Sequence, residues 1–362
     1  MGKFNIKNQI SKLLVFDGVT ALVIAGTSWV ALLASRGFST AEIGLLESIY
    51  HVFSMIFEVP SGAVADVFGR KKTLALSRVF AILSAIVMVL SNSFLTIALA
   101  MLFCALGNNL ISGTREALAY DSLKLGGKQE DYLRYSSSDL IVSQLCGSAA
   151  ILMAGLALYL GYQKAYIIDV LISFLALAIA LSMREVPAEG HENMKIRTRF
   201  REVFIESVRF LKESKRARTI IVIAAFFDSV VTLLGMFMQA ALPGAGLPEY
   251  LLGPALFVMG LGSVIGAKVV TLFKIKSYRK VTMIAAAAAL MNLGTALSGI
   301  PAVMVAGCFL CGIVDSYYYV CTDTVLNDMI PSGQRATLVS VNSLAFSIVM
   351  IVMSPLVGFV FK

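Results

Sequence analysis

The chain has 362 residues, 58% of them hydrophobic and 14% charged, with a mean hydropathy of +0.83. Soluble domains average about 45–50% apolar and 25% charged residues, so a water-soluble protein is excluded and an all-α integral membrane protein is expected. The net charge of +8 reflects contact with an anionic lipid surface and not with nucleic acid, because the basic residues gather in the polar segments between apolar runs.

The first segment, MGKFNIKNQISK, carries three lysines but no small-residue cleavage site, and the apolar run behind it is long enough to be a retained helix. A helix needs roughly 20 apolar residues to cross the hydrocarbon. Six such spans are expected near 13–35, 41–65, 73–91, 94–123, 136–160 and 162–183, and five near 219–242, 247–273, 280–299, 301–326 and 336–361. The polar stretch 185–218 between them, taken with Arg184 just before it, holds ten basic residues. Within it Phe200, Val203, Phe204, Val208 and Leu211 recur on one side of a helix, so a surface-lying amphipathic linker is expected. The organisation is then a bundle over 1–184, a linker over 185–218 and a second bundle over 219–362.

Of the 30 basic residues, all but Arg36, Lys164 and Lys362 fall in or beside cytoplasmic segments if the N-terminus is cytoplasmic, which satisfies the positive-inside rule. A multi-pass protein of the cell membrane follows, with its C-terminus outside if the spans number eleven. The five cysteines all lie inside apolar segments, where thiols behave as small hydrophobes. Cys308-x-x-Cys311 has no further ligands around it and reads as coincidence.

Between the second and third spans stands EVPSGAVADVFGRKK, from Glu58 to Lys72, with the pattern Gly62-x-x-x-Asp66-x-x-Gly69-Arg70-Lys71-Lys72. It resembles the signature loop of the major facilitator superfamily (MFS), a group of secondary transporters. The resemblance extends over most of the chain: six spans, a basic linker, a second bundle. Twelve spans are usual there, and the twelfth is missing from this count. The resemblance implies a two-bundle fold working by rocker-switch alternating access. It also implies a gate in which Asp66 and Arg70 to Lys72 cluster with the acid at the end of the fourth span, here Asp121. The Gly-Pro motif of that family's antiporters is incomplete in the fifth span: Cys146-Gly147-Ser148 through Gly155 supplies glycines without proline, which leaves direction open.

The halves repeat weakly. Phe16-Asp17 recurs as Phe227-Asp228, 211 residues on; Glu116 and Asp121 correspond to Asp323 and Asp328, 207 residues on; Lys71-Lys72 corresponds to Arg279-Lys280, 208 residues on. Such parallel repeats place the substrate path at the midplane. The counterpart of the signature loop has Lys274 where an aspartate is expected, so it reads as degenerate.

Ionisable residues within the membrane cost roughly 2.5–3.5 kcal/mol each on insertion scales, which makes them functional candidates. In the second span Glu47, His51 and Glu58 fall within about 40° on one face; a histidine beside a carboxylate suits proton coupling, and an interhelical hydrogen-bond group is the plainer alternative. Asp17 and Asp228 could hold a cationic substrate, a proton or a structural partner. Arg115, the only clearly intramembrane cation, and Glu116 could bind an anionic group, tune a carboxylate or form a buried ion pair. Asp315, Tyr317, Tyr318, Tyr319 and Asp323 share one span, where an acidic aromatic wall suits aromatic or cationic ligands, although three successive tyrosines point in three directions. Asp169 is expected to be structural.

The reading is a proton-coupled exporter of a small organic solute or drug, with no cofactor beyond a proton gradient, the solute and the bilayer as partners, no nucleic acid, and an oligomeric state left open. Alternatives are an uptake symporter, or a transport-inactive truncated membrane protein. A membrane enzyme is excluded by motif: there is no Gly-x-x-x-x-Gly-Lys-Ser/Thr loop, His-Glu-x-x-His helix or Gly-x-Ser-x-Gly elbow.

Overall fold

The computed structural model describes residues 5–186, 214–272, 277–329 and 335–361. Phe200 to Leu211 of the expected surface helix and Lys274 lie outside the described residues, as do the side chains of Asp66 and Asp328 and the surroundings of Gly62. Among the described residues there are only helices: α1 (Ile6–Ala21), α2 (Ile24–Thr27), α3 (Trp29–Ser35), α4 (Thr40–Phe68), α5 (Arg70–Leu90), α6 (Phe94–Ile111), α7 (Thr114–Leu125), α8 (Tyr132–Leu152), α9 (Ala154–Leu160) and α10 (Tyr162–Ser182). After the linker come α11 (Lys215–Gly244), α12 (Glu249–Leu272), α13 (Tyr278–Ala296), α14 (Pro301–Asp328) and α15 (Arg335–Val360), and a single 3-10 turn precedes α8.

Seven described helices are long and apolar enough to cross a membrane by length and composition, and α8 with α9, bent by 46°, makes an eighth. The first expected span is broken into α1, α2 and α3, and at the first of these breaks a buried carboxylate caps the start of α2. Asp169 on α10 accepts hydrogen bonds at Oδ1 from the backbone N–H groups of Ile24 (2.8 Å) and Ala25 (3.3 Å), and at Oδ2 from that of Gly26 (2.8 Å). A helix start leaves N–H donors without intrahelical acceptors, and in a dry interior only such a side chain can satisfy them. The expected second span is helical throughout, within α4.

The described residues form two compact units, one of 5–29 with 52–186, the other of 30–51 with 214–361. In the first, Leu13 and Phe16 of α1, Leu74 of α5, Leu118 of α7 and Ala176 of α10 share one core and are fully buried. Gly69, with φ +95°, makes the tight turn from α4 into α5, a conformation that costs a glycine little.

The second unit is held by small-residue seams. Gly262 and Gly266, one turn apart on α12, lie so close to the carbonyl groups of Phe309 and Ile313 on α14 that a Cβ at either would collide with the facing backbone. Gly44 of α4 faces the carbonyl of Ser354 on α15, Gly358 faces that of Thr40, and Ser48 Oγ donates to the Ile351 carbonyl at 2.8 Å. Lipid supplies no hydrophobic drive between helices, so such close approach, which maximises dispersion, is what binds them. The outer faces are apolar, with Leu95 at 78%, Tyr159 at 83% and Leu290 at 72% exposure, a surface suited to acyl chains and not to water.

Candidate functional site

In the first unit three helices bring their charges to one guanidinium. Arg115 at the start of α7 pairs through Nη1 with Asp17 of α1, and through Nη2 with Glu116 at 2.7 Å and with Asp139 of α8 at 3.2 Å. Asp17 is 3% exposed and Asp139 7%, and Tyr135 Oη lies 3.5 Å from Asp139 Oδ1. Gly113, with φ +72°, separates α6 from α7, so Arg115 and Glu116 sit in the first turn of a new helix and not in the middle of a long one. The cluster holds three carboxylates to one cation. Asp17 Oδ2 and Glu116 Oε2 are buried without a hydrogen-bond partner among the described residues.

At the signature loop, Arg70 pairs through Nη1 with Asp121 of α7 and donates from the same nitrogen to the Ala117 carbonyl at 2.6 Å. Glu185, the first residue of the expected linker, lies over the start of α5. Its carboxylate accepts from the backbone N–H groups of Lys71 at 3.2 Å and Lys72 at 3.4 Å, the favourable place for an anion on a helix macrodipole.

On α4, His51 Nε2 stands 3.3 Å from Glu47 Oε1, both within the second unit, and the His51 ring meets Phe346 edge-on with centroids 5.6 Å apart. Glu58, on the same helix, belongs to the first unit; its carbonyl accepts from Ser61 Oγ at 2.7 Å.

The second unit contains a cavity of about 100 Å³, with Asp228 of α11, Asp315, Tyr318, Tyr319 and Asp323 of α14, and Phe346 of α15 in its wall. The three tyrosines do point apart. Tyr317 is buried in the core cluster that also holds Phe227, Tyr318 is 2% exposed and its hydroxyl lies 3.1 Å from that of Tyr278, and Tyr319 is 65% exposed at the cavity edge.

Two residues escaped the sequence reading. Asp139 is a lone acid in an otherwise uncharged stretch of the fifth span, and nothing local says which helix it meets. Arg78 corrects the reading of Arg115 as the only intramembrane cation. It lies on α5 at 6% exposure, its guanidinium 5.7 Å from the Phe16 ring centroid and its Nε donating to Ser77 Oγ at 3.2 Å. Its long side chain packs inward on an aromatic face and does not reach for the interface.

Helices that bury charged groups in apolar surroundings, with lipid-suited outer faces, define a multi-pass membrane protein. The chain belongs to the Major Facilitator Superfamily, whose sequence profile matches residues 13–360. It is 25% identical over 332 residues, covering 89% of this chain and 81% of the relative, to the MFS-type transporter YxaM of Bacillus subtilis (strain 168). Among solved structures, the nucleoside transporter NupG superposes with a TM-score of 0.80 at 15% identity, covering 98% of this chain and 91% of that one. A bacterial homolog of the human lysosomal transporter Spinster gives 0.69 at 16% identity, covering 97% and 80%. At these identities the structural likenesses speak to the fold alone.

Proposed function

We propose that this transporter exports a small organic solute in exchange for protons, with the cluster of Asp17, Arg115, Glu116 and Asp139 as the proton-handling group. The supporting observation is the imbalance of that cluster, three carboxylates around one guanidinium with buried carboxylate oxygens that accept no described hydrogen bond. Surplus negative charge in a low-dielectric site is costly, so proton uptake is the cheapest relief, and it loosens the hold of Arg115 on α1 and α8. Glu47 with His51 is a second place where a proton can be exchanged. Rocking of the two bundles gives alternating access, and Arg70 with Asp121, joined by Asp66 as the resemblance implies, latches the outward-facing state. The N-terminus lies on the cytoplasmic side of the cell membrane.

The test is reconstitution of the full chain in vesicles with a trapped pH dye, the solute being chosen from a compound panel by binding-induced thermal stabilisation. Addition of that solute is expected to move protons against the solute's direction, and Asp17→Asn or Asp139→Asn to leave counterflow while abolishing proton movement. Solute and protons moving in the same direction would replace export by uptake symport. Solute transport indifferent to the proton gradient would overturn the coupling.

A further inference from the structure

The internal repeat relates the cavity of the second unit to the charge cluster of the first. Asp228 is the counterpart of Asp17, and Asp323, 207 residues after Glu116, the counterpart of that acid. The same 207 residues carry Arg115 to Thr322, Tyr135 to Asn342 and Asp139 to Phe346. All five counterparts stand in the wall of the cavity of about 100 Å³. Both units therefore use three corresponding helix positions to enclose one spot. In the first, the Arg115 guanidinium fills it. In the second, a threonine hydroxyl replaces that arginine, a cavity remains, and among the described residues no lysine or arginine lines it.

The carboxylate frame outlasts the loss of the cation. Asp228 is kept, Asp315 is added seven residues before Thr322 on α14, and the rings of Phe346 and Tyr318 stand in the wall. A carboxylate pair beside a cavity with aromatic rings in its wall favours a cation by charge-assisted hydrogen bonding and by attraction to the rings. Thr322 and Asn342 add neutral polar groups, and Thr322 Oγ1 is already fixed 3.1 Å from Tyr278 Oη. The first unit demonstrates which chemistry the frame accepts, since a planar guanidinium sits in it.

We infer that the cavity bounded by Asp228, Asp315, Thr322 and Phe346 is a subsite for the cationic head of the transported solute, an ammonium or guanidinium group that occupies the place Arg115 holds in the first unit. The inference rests on the transport reading for the word solute, but binding itself can be measured without transport.

The experiment uses the purified full chain in lipid nanodiscs, with radiolabelled methylguanidinium as the probe and N-methylurea as its uncharged counterpart. Methylguanidinium is expected to bind saturably and to raise the melting temperature, and N-methylurea to do neither. Asp228→Asn and Asp315→Asn are each expected to weaken probe binding by about tenfold to a hundredfold, the range for a lost hydrogen bond to a charged group. Glu130→Gln, an exposed acid in the first unit, keeps wild-type binding. Thr322→Arg places a guanidinium back in the cavity, as in the first unit; it is expected to raise the melting temperature without probe and to abolish the response to it. If that variant does not fold, the two asparagine titrations decide. Equal response to both probes, or unchanged affinity in both asparagine variants, overturns the subsite. Saturable methylguanidinium binding without any solute-driven proton movement in vesicles would sink the proposed exchange and leave the subsite standing; proton movement driven only by uncharged solutes would do the reverse.

Discussion

Replacing Arg115 by methionine keeps an unbranched apolar stem and removes the charge, and the structure sets the size of the effect. At 3.2 Å the contact with Asp139 is worth about 5 kcal/mol of Coulomb energy at an effective dielectric constant of about 20, and the pair with Asp17 is at least as close. Glu116, with its side chain 43% exposed, adds at most about 1 kcal/mol. Desolvation already opposes these attractions, so the relevant quantity is the cost of leaving Asp17 and Asp139 buried without their partner, roughly 3–5 kcal/mol. Relief by protonating one carboxylate at pH 7 costs about 4 kcal/mol, so neither route avoids the loss. For a unit of this size each kcal/mol lowers the melting temperature by about 2–4 °C, which puts Arg115→Met roughly 6–20 °C below wild type. Cys104 and Cys146, half-buried in the first unit, and Cys308 and Cys311, buried in the second, allow a thiol-reactive dye to report unfolding in single-cysteine backgrounds. Adding Asp17→Asn and Asp139→Asn to Arg115→Met removes the orphaned charges and is expected to recover most of the loss. If Arg115→Met alone costs less than about 1 kcal/mol, or the triple variant is no more stable than the single one, the three carboxylates do not depend on this guanidinium.

Asp169→Ala removes the acceptor of three backbone hydrogen bonds at the start of α2 and is expected to cost at least about 2 kcal/mol, read as earlier dye labelling of Cys146; labelling at the wild-type temperature would mean that α2 does not need this cap. Gly262→Ala and Gly266→Ala push a methyl group into the carbonyls of Phe309 and Ile313, and each should lose about 1–3 kcal/mol, whereas Gly260→Ala, with open space around it, should be neutral within about 0.5 kcal/mol. A double-mutant cycle on Arg70→Gln and Asp121→Asn is expected to give a coupling of about 1–2 kcal/mol, because both side chains are mostly shielded from solvent. Additive losses would show that the loop is held by the Arg70 bond to the Ala117 carbonyl and not by the ion pair.

The helical, membrane-crossing character was legible because hydropathy acts locally, through the residues of one span and the lipid around them. The acids worth attention were legible for the same reason: a charge in an apolar run carries its cost wherever the helix packs. Arg70 and Asp121 were placed together in advance by the resemblance of Gly62 to Lys72 to a family motif, not by spacing along the chain.

What belongs to tertiary structure alone is which charge meets which. Helical periodicity assigns Asp139 to a face of α8, but the guanidinium it finds belongs to α7, and the choice depends on how α1, α7 and α8 cross. Span lengths suggested one continuous first helix; it breaks at Val23 because Asp169, some 145 residues away in sequence, offers a better acceptor for its N–H groups than a further helical turn would. Arg78 counted as a basic residue near a span end, and only packing against Phe16 turns it inward. The repeat itself was visible as a few matched acids. That one copy closes around its own arginine while the other leaves a cavity was decided in three dimensions, where a single exchange, arginine for threonine, removes both the volume and the charge that the neighbouring carboxylates would otherwise enclose.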